Sequence, residues 1–271
     1  MSKKILTIQD ISCYGQCSIT VALPILSAYG VEATILPSAI LSTHTAGFKN
    51  FTVLDLTDEM PKIINHWINE GIKFDAIYTG YIGDVRQFDY ILECKDKLLK
   101  DDGLFIVDPA MADHGKLYPA LSDDIVSGMI KISKVSDYIM PNITEACFLT
   151  GNEYKEEYDS KYIDKLIKDL YELTNSKIIL SGVSYNEDEI GAVYYDGSKI
   201  SEYYSDKQER SYHGTGDIFS SVLVANIVNG IDIKDNLRDA VEFIIDCIKY
   251  TILDDDHGYG VKFEDVLKNR K

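Results

Sequence analysis

The sequence predicts an α/β fold in which a central, mainly parallel β-sheet lies between helices on both faces, a three-layer α/β/α arrangement. Three observations support it. Short apolar segments rich in β-branched residues alternate with longer amphipathic segments. The 271 residues, 45% of them hydrophobic, are enough to bury one large core. No repeat or low-complexity linker interrupts the chain, so a single domain is predicted over residues 1–271.

The predicted strands and helices follow one another as β–α units. The strands are expected at Ile5–Ile8, Glu32–Leu36, Ala76–Gly80, Leu104–Asp108, Tyr138–Pro141 and Lys177–Ser181. The helices between them are expected at Ser18–Tyr29, Thr57–Glu70, Val85–Lys100, Asp123–Ser133, Ile143–Thr150 and Asp159–Thr174. This order indicates a doubly wound sheet.

The pattern changes after Gly182. Ile190–Tyr195 and Lys199–Tyr204 flank a short turn and predict an antiparallel hairpin. Two further helices are expected at Gly216–Asn229 and Lys234–Leu253. The polar segment Tyr203–Tyr212 is a candidate flap over a binding site.

Composition excludes several kinds of partner. The chain carries 27 Lys and Arg against 44 Asp and Glu, a formal charge of -17, which disfavours binding to nucleic acid or anionic membranes. No apolar segment has the length of a signal peptide or a transmembrane helix. The five cysteines are odd in number and lack a C-x-x-C pair, so we expect reduced thiols in a cytoplasmic protein.

The best candidate for chemistry is the segment Gly214-Thr215-Gly216-Asp217 at the start of a predicted helix. Two glycines let the backbone approach a ligand, and the first amides of the helix have no internal partner. Asp217 beside them has the chemistry of a general base for phosphoryl transfer. A helix N-cap after a glycine turn explains the same residues equally well. No P-loop motif is present, and Phe219 stands where a dinucleotide-binding motif needs its third glycine.

Polar residues at the carboxyl ends of predicted strands favour the catalytic interpretation, because ligands of open α/β sheets bind there. Asp108 and Asp113 share one loop, and Asn142 and Glu145 begin a helix after the next strand. Carboxylates gathered at one edge need a counter-charge, and Mg²⁺ on nucleotide phosphates supplies one.

The N-terminal half contributes polar and aromatic residues at the same edge. Asp10 and Thr45 offer hydrogen bonds to the substituents of a heteroaromatic ring, and Tyr81 offers a stacking surface. His44 and His213 flank the expected pocket. An Asx turn at Asp10 and an ordinary polar loop at residues 42–47 are the alternatives for these segments taken singly.

Together these segments resemble the pyridoxal (pyridoxine, pyridoxamine) kinases of the ribokinase-like superfamily, in order from about residue 3 to about residue 250. The matching motifs are Gly214-Thr215-Gly216-Asp217, Asp108-Pro109 with Asp113, Asn142-x-x-Glu145, Ile8-Gln9 with Tyr14-Gly15, and Ser42-x-His44-Thr45. The resemblance implies ATP with Mg²⁺, often a monovalent cation such as K⁺, and usually a homodimer. It also implies phosphorylation of the 5′-hydroxymethyl group of a B6 vitamer.

The resemblance further implies roles for single residues. Asp217 resembles the catalytic base of the family, and Gly214 to Gly216 resemble its anion hole. The residues that match ATP-binding positions are Asp108, Asp113, Asn142, Glu145 and Ser181, with Asp113 and Glu145 near the metal. The residues at the ring-binding site are Asp10, His44, Thr45 and Tyr81. Two positions depart from the family, since Asp10 stands where Ser is common and Ala112 replaces a usual Gly.

Two other functions remain open at this point. Hydroxymethylpyrimidine kinases of thiamin synthesis share the resemblance, but they typically carry Cys in place of Asp217. A non-catalytic nucleotide or vitamin sensor would keep the pocket, yet it would have no need of a base at Asp217. Sugar and nucleoside kinases are disfavoured because the His44-Thr45 loop lacks their Gly-Gly and Asn signature.

Overall fold

The computed structural model describes residues 2–45, 47–119, 121–210, 212–254 and 256–270. Its strands are β1 Lys4–Ser12, β2 Glu32–Leu41, β3 Val53–Asp55, β4 Phe74–Thr79, β5 Leu99–Val107, β6 Ala112–Asp113, β7 Lys116–Leu117, β8 Tyr138–Ile139, β9 Lys177–Val183, β10 Glu189–Tyr195 and β11 Ile200–Asp206. Its helices are α1 Ile19–Ala28, α2 Met60–Asn69, α3 Gln87–Leu98, α4 Asp124–Ser133, α5 Ile143–Thr150, α6 Ser160–Thr174, α7 Thr215–Val228, α8 Ile233–Thr251 and α9 Glu264–Asn269.

The main sheet has the strand order β11-β10-β9-β8-β5-β4-β1-β2-β3. All pairs between β9 and β2 are parallel, whereas the pairs β9–β10, β10–β11 and β2–β3 are antiparallel. From β1 the chain turns to β2 on one side and to β4 and β5 on the other. This reversal opens a crevice beside β1, where ligands of doubly wound sheets bind.

Helices cover both faces of the sheet and enclose two apolar cores. On one face α1, α7 and α8 pack together, with Ile25, Val222 and Leu237 fully buried. On the other face lie α2 to α6, represented by Ile64, Ile91, Met129, Ala146 and Leu166. The three-layer α/β/α prediction is confirmed, and the single domain stays a prediction.

The predicted elements differ from the observed ones mainly at their ends. The helix expected from Thr57 begins at Met60, next to a proline in its first turn. The sequence interpretation missed β3, the small hairpin β6–β7 and α9, which are too short to show a period. The candidate flap was partly wrong, because Tyr203 to Asp206 belong to β11 and only residues 207–214 connect β11 to α7.

Candidate active site

A cavity of about 670 Å³ opens at the carboxyl ends of the parallel strands. One wall comes from the N-terminal half and includes Asp10, Thr45 and Tyr81, together with His44. The opposite wall is the start of α7, from Gly214 to Asp217. The structure therefore brings the predicted ring-binding residues and the predicted base to one cavity.

Gly214 is the N-cap of α7 and has φ 81°, a left-handed conformation that side chains rarely adopt. A Cβ at this position would lie 2.1 Å from the carbonyl oxygen of Gln16. Gly216 differs, because no heavy atom lies within 4 Å of where its Cβ would be. The first glycine is thus required by the backbone, whereas the second leaves room in the cavity beside the amides of the first turn.

Asp217 lies in the first turn of α7 and is half-buried. Its Oδ2 accepts a hydrogen bond of 2.9 Å from the backbone N–H of Ser18, which orients the carboxylate. Burial raises the pKa of Asp217 from 3.8 to about 6, and the nearby charge of Asp10 acts in the same direction. A carboxylate with a pKa near neutrality is a suitable general base.

Asp10 lies within β1 rather than after it, because the strand continues through a bulge between Gln9 and Ile11. Its side chain is only 4% exposed, and its Oδ2 accepts a hydrogen bond of 3.0 Å from the Ser12 hydroxyl. Burial raises the pKa of Asp10 above its ordinary value. The Asp10 carboxylate is therefore held rigidly at the edge of the cavity.

His44 is packed against backbone on two sides. Its Nε2 lies 3.2 Å from the carbonyl oxygen of Tyr259, so this nitrogen carries the proton of the neutral ring. A Cβ at Gly15, which has φ 93°, would lie 2.2 Å from the His44 ring. Burial lowers the pKa of His44, and neighbouring His213, whose ring centre is 5.8 Å away, adds to this effect. His44 is accordingly neutral at physiological pH.

Thr45 and Tyr81 line the same part of the cavity. Tyr81 follows β4, and burial raises the pKa of its hydroxyl to about 12, so the phenol stays neutral. The adjoining Ala46 of the predicted ring-binding loop lies outside the described residues. Both side chains border the cavity, and their contact with a ring stays a prediction.

Asp108 directly follows β5 and is 6% exposed. Its Oδ2 accepts a hydrogen bond of 2.5 Å from the Ser220 hydroxyl of α7. Burial raises the pKa of Asp108 to about 8, and the charge of Asp217 contributes. Asp108 thus ties β5 to the helix that carries the candidate base.

Asn142 and Glu145 form a reciprocal capping box at the start of α5. Asn142 Oδ1 accepts from the Glu145 N–H at 2.9 Å, and Glu145 Oε2 accepts from the Asn142 N–H at 2.9 Å. Glu145 Oε1 accepts a further 3.1 Å bond from the Met111 N–H, and the Asn142 amide donates to the Ala112 carbonyl. These bonds join α5 to the loop after β5.

The geometry limits how Mg²⁺ could be held. Within the described residues, no group of three or more His, Cys, Asp or Glu is placed to bind a metal ion by itself. Mg²⁺ on nucleotide phosphates needs only one or two carboxylates and keeps several waters, so this does not disagree with the resemblance. Asp113 is exposed in the cavity, whereas both oxygens of Glu145 accept backbone N–H groups.

Ser181 lies inside β9 rather than after it and borders the cavity next to Asn142. Sequence analysis did not single out Ser18, which it placed inside the first helix, or the basic residues Lys207 and Arg210, which also line the cavity. Lys207 and Arg210 do lie within the candidate flap Tyr203–Tyr212, and they are the two cationic residues between β11 and α7. Both place basic side chains at the border of the cavity.

None of the described helices is both long enough and apolar enough to cross a lipid bilayer.

Comparisons with known proteins identify the family. The model of the phosphomethylpyrimidine kinase family matches residues 19–261. A provisionally named phosphomethylpyrimidine kinase from Bacteroides thetaiotaomicron has a similar structure, with a TM-score of 0.92, 34% sequence identity, and 99% of this chain and 93% of that chain covered. A second crystal form of it was solved with pyridoxal.

Two pyridoxal kinases are also similar. The structure of the Lactobacillus plantarum enzyme matches with a TM-score of 0.89 and 29% identity, covering 98% of this chain and 95% of that chain. The Dictyostelium discoideum enzyme is 28% identical over 247 residues, 83% of this chain and 78% of its own. The family match, the shared fold and the arrangement of the cavity agree, and this chain belongs to the phosphomethylpyrimidine kinase family of phosphotransferases.

Proposed function

We propose that this protein transfers the γ-phosphoryl group of ATP to the 5′-hydroxymethyl group of a B6 vitamer: pyridoxal, pyridoxine or pyridoxamine. The observation that carries the proposal is the Asp217 carboxylate, which borders the cavity at the start of α7 and has its pKa raised to about 6. The similarity to two pyridoxal kinases supports the choice of acceptor. The retention of an aspartate as base favours catalysis over a sensor role.

In the proposed mechanism, the pyridine ring binds between Tyr81 and the residues of the N-terminal wall, with Thr45 and His44 in hydrogen-bonding reach of its substituents. Asp217 removes the proton of the 5′-hydroxyl as its oxygen attacks the γ-phosphorus of ATP. The P–O bond to ADP breaks in line with the attack. The amides from Gly214 to Gly216 stabilise the charge that develops on the transferred group.

The nucleotide occupies the other end of the cavity in this proposal. Asn142, Ser181 and the loop that carries Lys207 and Arg210 surround its phosphates. Mg²⁺ on these phosphates would supply additional positive charge. Asp113 would hold it directly, and Glu145 would hold it through water because its oxygens accept backbone N–H groups. A monovalent cation such as K⁺ is part of the proposal, and replacing KCl by NaCl in the assay tests it.

One assay tests the acceptor and the base together. Product formation is followed by ³¹P NMR with ATP, Mg²⁺ and each of three B6 vitamers, hydroxymethylpyrimidine and common sugars. We expect phosphorylated vitamers from the wild type. We also expect a loss of several orders of magnitude in kcat for Asp217→Ala, with ATP affinity nearly unchanged. Asp124→Ala, an exposed first-turn aspartate of α4, is the matched control. Normal turnover by Asp217→Ala would exclude it as the base.

Phosphorylation of hydroxymethylpyrimidine is the second candidate function. The name of the matched family and that of the Bacteroides thetaiotaomicron protein favour it. Its substrate is also a heteroaromatic ring with a hydroxymethyl group, so Asp217 would act in the same way. Turnover of the pyrimidine without turnover of any vitamer would replace the first proposal by this one. ATP and vitamer binding without product would instead indicate a sensor.

We also propose that the protein is a homodimer that associates through the β3 edge of the sheet. Val53 and Leu54 are 55% and 59% exposed, and β3 pairs only on its β2 side within the described residues. An exposed apolar edge strand favours pairing with a second chain. Light scattering after gel filtration should give a dimer for the wild type and a monomer for Leu54→Lys. A monomeric wild type would contradict the proposal.

A cytoplasmic location is the last part of the proposal. All five cysteines, Cys13, Cys17, Cys94, Cys147 and Cys247, are free thiols in the structure, as expected in a reducing compartment. Fractionation of cells that express the full chain tests it, and recovery from an extracytoplasmic fraction would refute it.

A further inference from the structure

Asp10 and Asp217 place two carboxylates side by side at the acceptor end of the cavity. Ser18 connects them: its backbone N–H donates to Asp217 Oδ2 at 2.9 Å, and its side chain hydrogen-bonds Asp10. Ser18 itself has φ 54° and ψ -130°, a conformation that costs a non-glycine residue energy and persists only where its surroundings hold it. One strained residue thus holds both acidic groups within its reach.

The ionisable side chains at this end of the cavity are mainly acidic. Within the described residues, neither carboxylate forms an ion pair with a lysine or arginine. The neighbouring His44 is neutral, since burial lowers its pKa, and the Tyr81 hydroxyl also faces Asp10 without carrying charge. A buried and a half-buried acidic side chain, neither of them paired with a lysine or arginine in the described part of the chain, favour a ligand that brings a positive charge.

The three B6 vitamers differ at one position only. Pyridoxamine carries an aminomethyl group at C4, pyridoxal a formyl group and pyridoxine a hydroxymethyl group, and C4 is next to the carbon that bears the reacting 5′-hydroxymethyl group. The C4 and C5 substituents thus lie on adjacent ring carbons, and the Asp10 and Asp217 carboxylates are both hydrogen-bonded to Ser18. With the 5′-hydroxyl at Asp217, one of the two ring orientations would place the C4 substituent toward Asp10.

We propose that this site prefers an acceptor with a cationic amine, so that pyridoxamine is phosphorylated in preference to pyridoxal, with Asp10 binding the ammonium group. This inference rests on the proposed function. A charge-assisted hydrogen bond from the ammonium group to Asp10 stabilises only the complex with this vitamer. Asp10 therefore acts as a determinant of specificity, separate from the base Asp217.

The test compares kcat/KM for the three vitamers in the wild type, Asp10→Asn and the exposed-site control Asp124→Asn. Asparagine keeps the shape of the side chain and its bond from the Ser12 hydroxyl, but it removes the charge. We expect wild-type kcat/KM to be about tenfold higher for pyridoxamine than for pyridoxal. Asp10→Asn should lower the pyridoxamine value about 10- to 100-fold and change the pyridoxine value by less than about threefold. Asp124→Asn should match the wild type.

Each outcome has a distinct meaning. Retained pyridoxine turnover in Asp10→Asn shows that the variant is folded and that its loss is specific. An equal loss for all three vitamers would assign Asp10 to the ring nitrogen that they share, and unchanged ratios would leave Asp10 without a role in selection; either result overturns the inference alone. A wild type that phosphorylates no vitamer would overturn the proposed function as well.

Discussion

Replacing Asp217 by asparagine should make the protein more stable while it removes the activity. Burial raises the pKa of Asp217 from 3.8 to about 6, so the folded protein resists ionisation of this side chain. At pH 7.5 the carboxylate is nevertheless charged. The charge on Asp217 therefore lowers the free energy of unfolding. Asparagine is neutral and removes this destabilisation.

The magnitude follows from the two pKa values. The difference between 3.8 and about 6 corresponds to about 3 kcal/mol of unfolding free energy at a pH above both values. Because Asp217 borders the open cavity, solvent screens part of this cost, and we expect a gain of about 1–2 kcal/mol for Asp217→Asn. For a chain of this size the melting temperature should rise by about 3–5 °C.

The sign of the pH dependence is determined by the direction of the shift. As pH rises through the window between 3.8 and about 6, the unfolded chain loses the Asp217 proton before the folded chain does, so the wild type loses stability. Above about pH 6 the effect of Asp217 on the free energy of unfolding no longer changes with pH. The stability advantage of Asp217→Asn should therefore be small near pH 4.5 and reach its full value at pH 7 and above. The Ser18 N–H can still donate to the asparagine oxygen, so this contact is preserved.

Urea denaturation at pH 4.5, 6.0 and 7.5 measures this difference for the wild type and Asp217→Asn, alongside product formation at pH 7.5. Asp124→Asn is the control, because it also lies in the first turn of a helix but is exposed. It should change stability by less than about 0.5 kcal/mol at each pH. An advantage for Asp217→Asn that stays equal at all three pH values would refute the argument from burial. Normal activity would refute the role as base.

Three further predictions follow from the same geometry. The kcat/KM of the acceptor should fall below about pH 6 as Asp217 takes up a proton, and a flat profile down to pH 5 would contradict its role. Gly214→Ala should lower kcat about 100-fold and reduce the melting temperature, because its Cβ would lie 2.1 Å from a carbonyl oxygen. Gly216→Ala should change the free energy of unfolding by less than about 0.5 kcal/mol, because its Cβ would meet no atom. Equal losses of stability in the two variants would contradict this distinction. Gly15→Ala should displace the His44 ring and thereby raise the KM of the acceptor about tenfold. Steady-state kinetics should show an unchanged KM for ATP. A parallel rise in the KM of ATP would indicate general damage to the protein.

The sequence was sufficient to predict the layers of the fold, because period and composition are local properties. The helix Ile143–Thr150 was predicted to the residue, since its Asn142 and Glu145 form the capping box that such spacing indicates. Strand β1 was predicted to end four residues too early, at Ile8, because Gln9, Asp10 and Ser12 are polar although neighbouring strands on both sides bury this segment. Edge strand β3 has no buried face and hence left no pattern to detect.

The candidate site could be located from the sequence, but its internal connections could not. The ends of the strands and the glycine turn placed Asp10, Tyr81 and Asp217 at one edge of the sheet. Nothing local to Ser18 indicates that it contacts two carboxylates, one of them 199 residues away along the chain.

The contacts of the acidic residues also separate their roles, which residue type alone does not. Asp108 and Glu145 are satisfied by Ser220 and by backbone N–H groups, respectively, so their carboxylates primarily hold helices and loops in place. Burial raises the pKa of all four carboxyl groups, but only Asp10 and Asp217 of the four border the cavity. A buried carboxylate whose charge the protein does not neutralise is available to a substrate, as a proton acceptor or as a counter-ion. For this reason the proposed chemistry falls to the second pair, whereas the first pair serves mainly as structural support, with Glu145 proposed to reach Mg²⁺ through water.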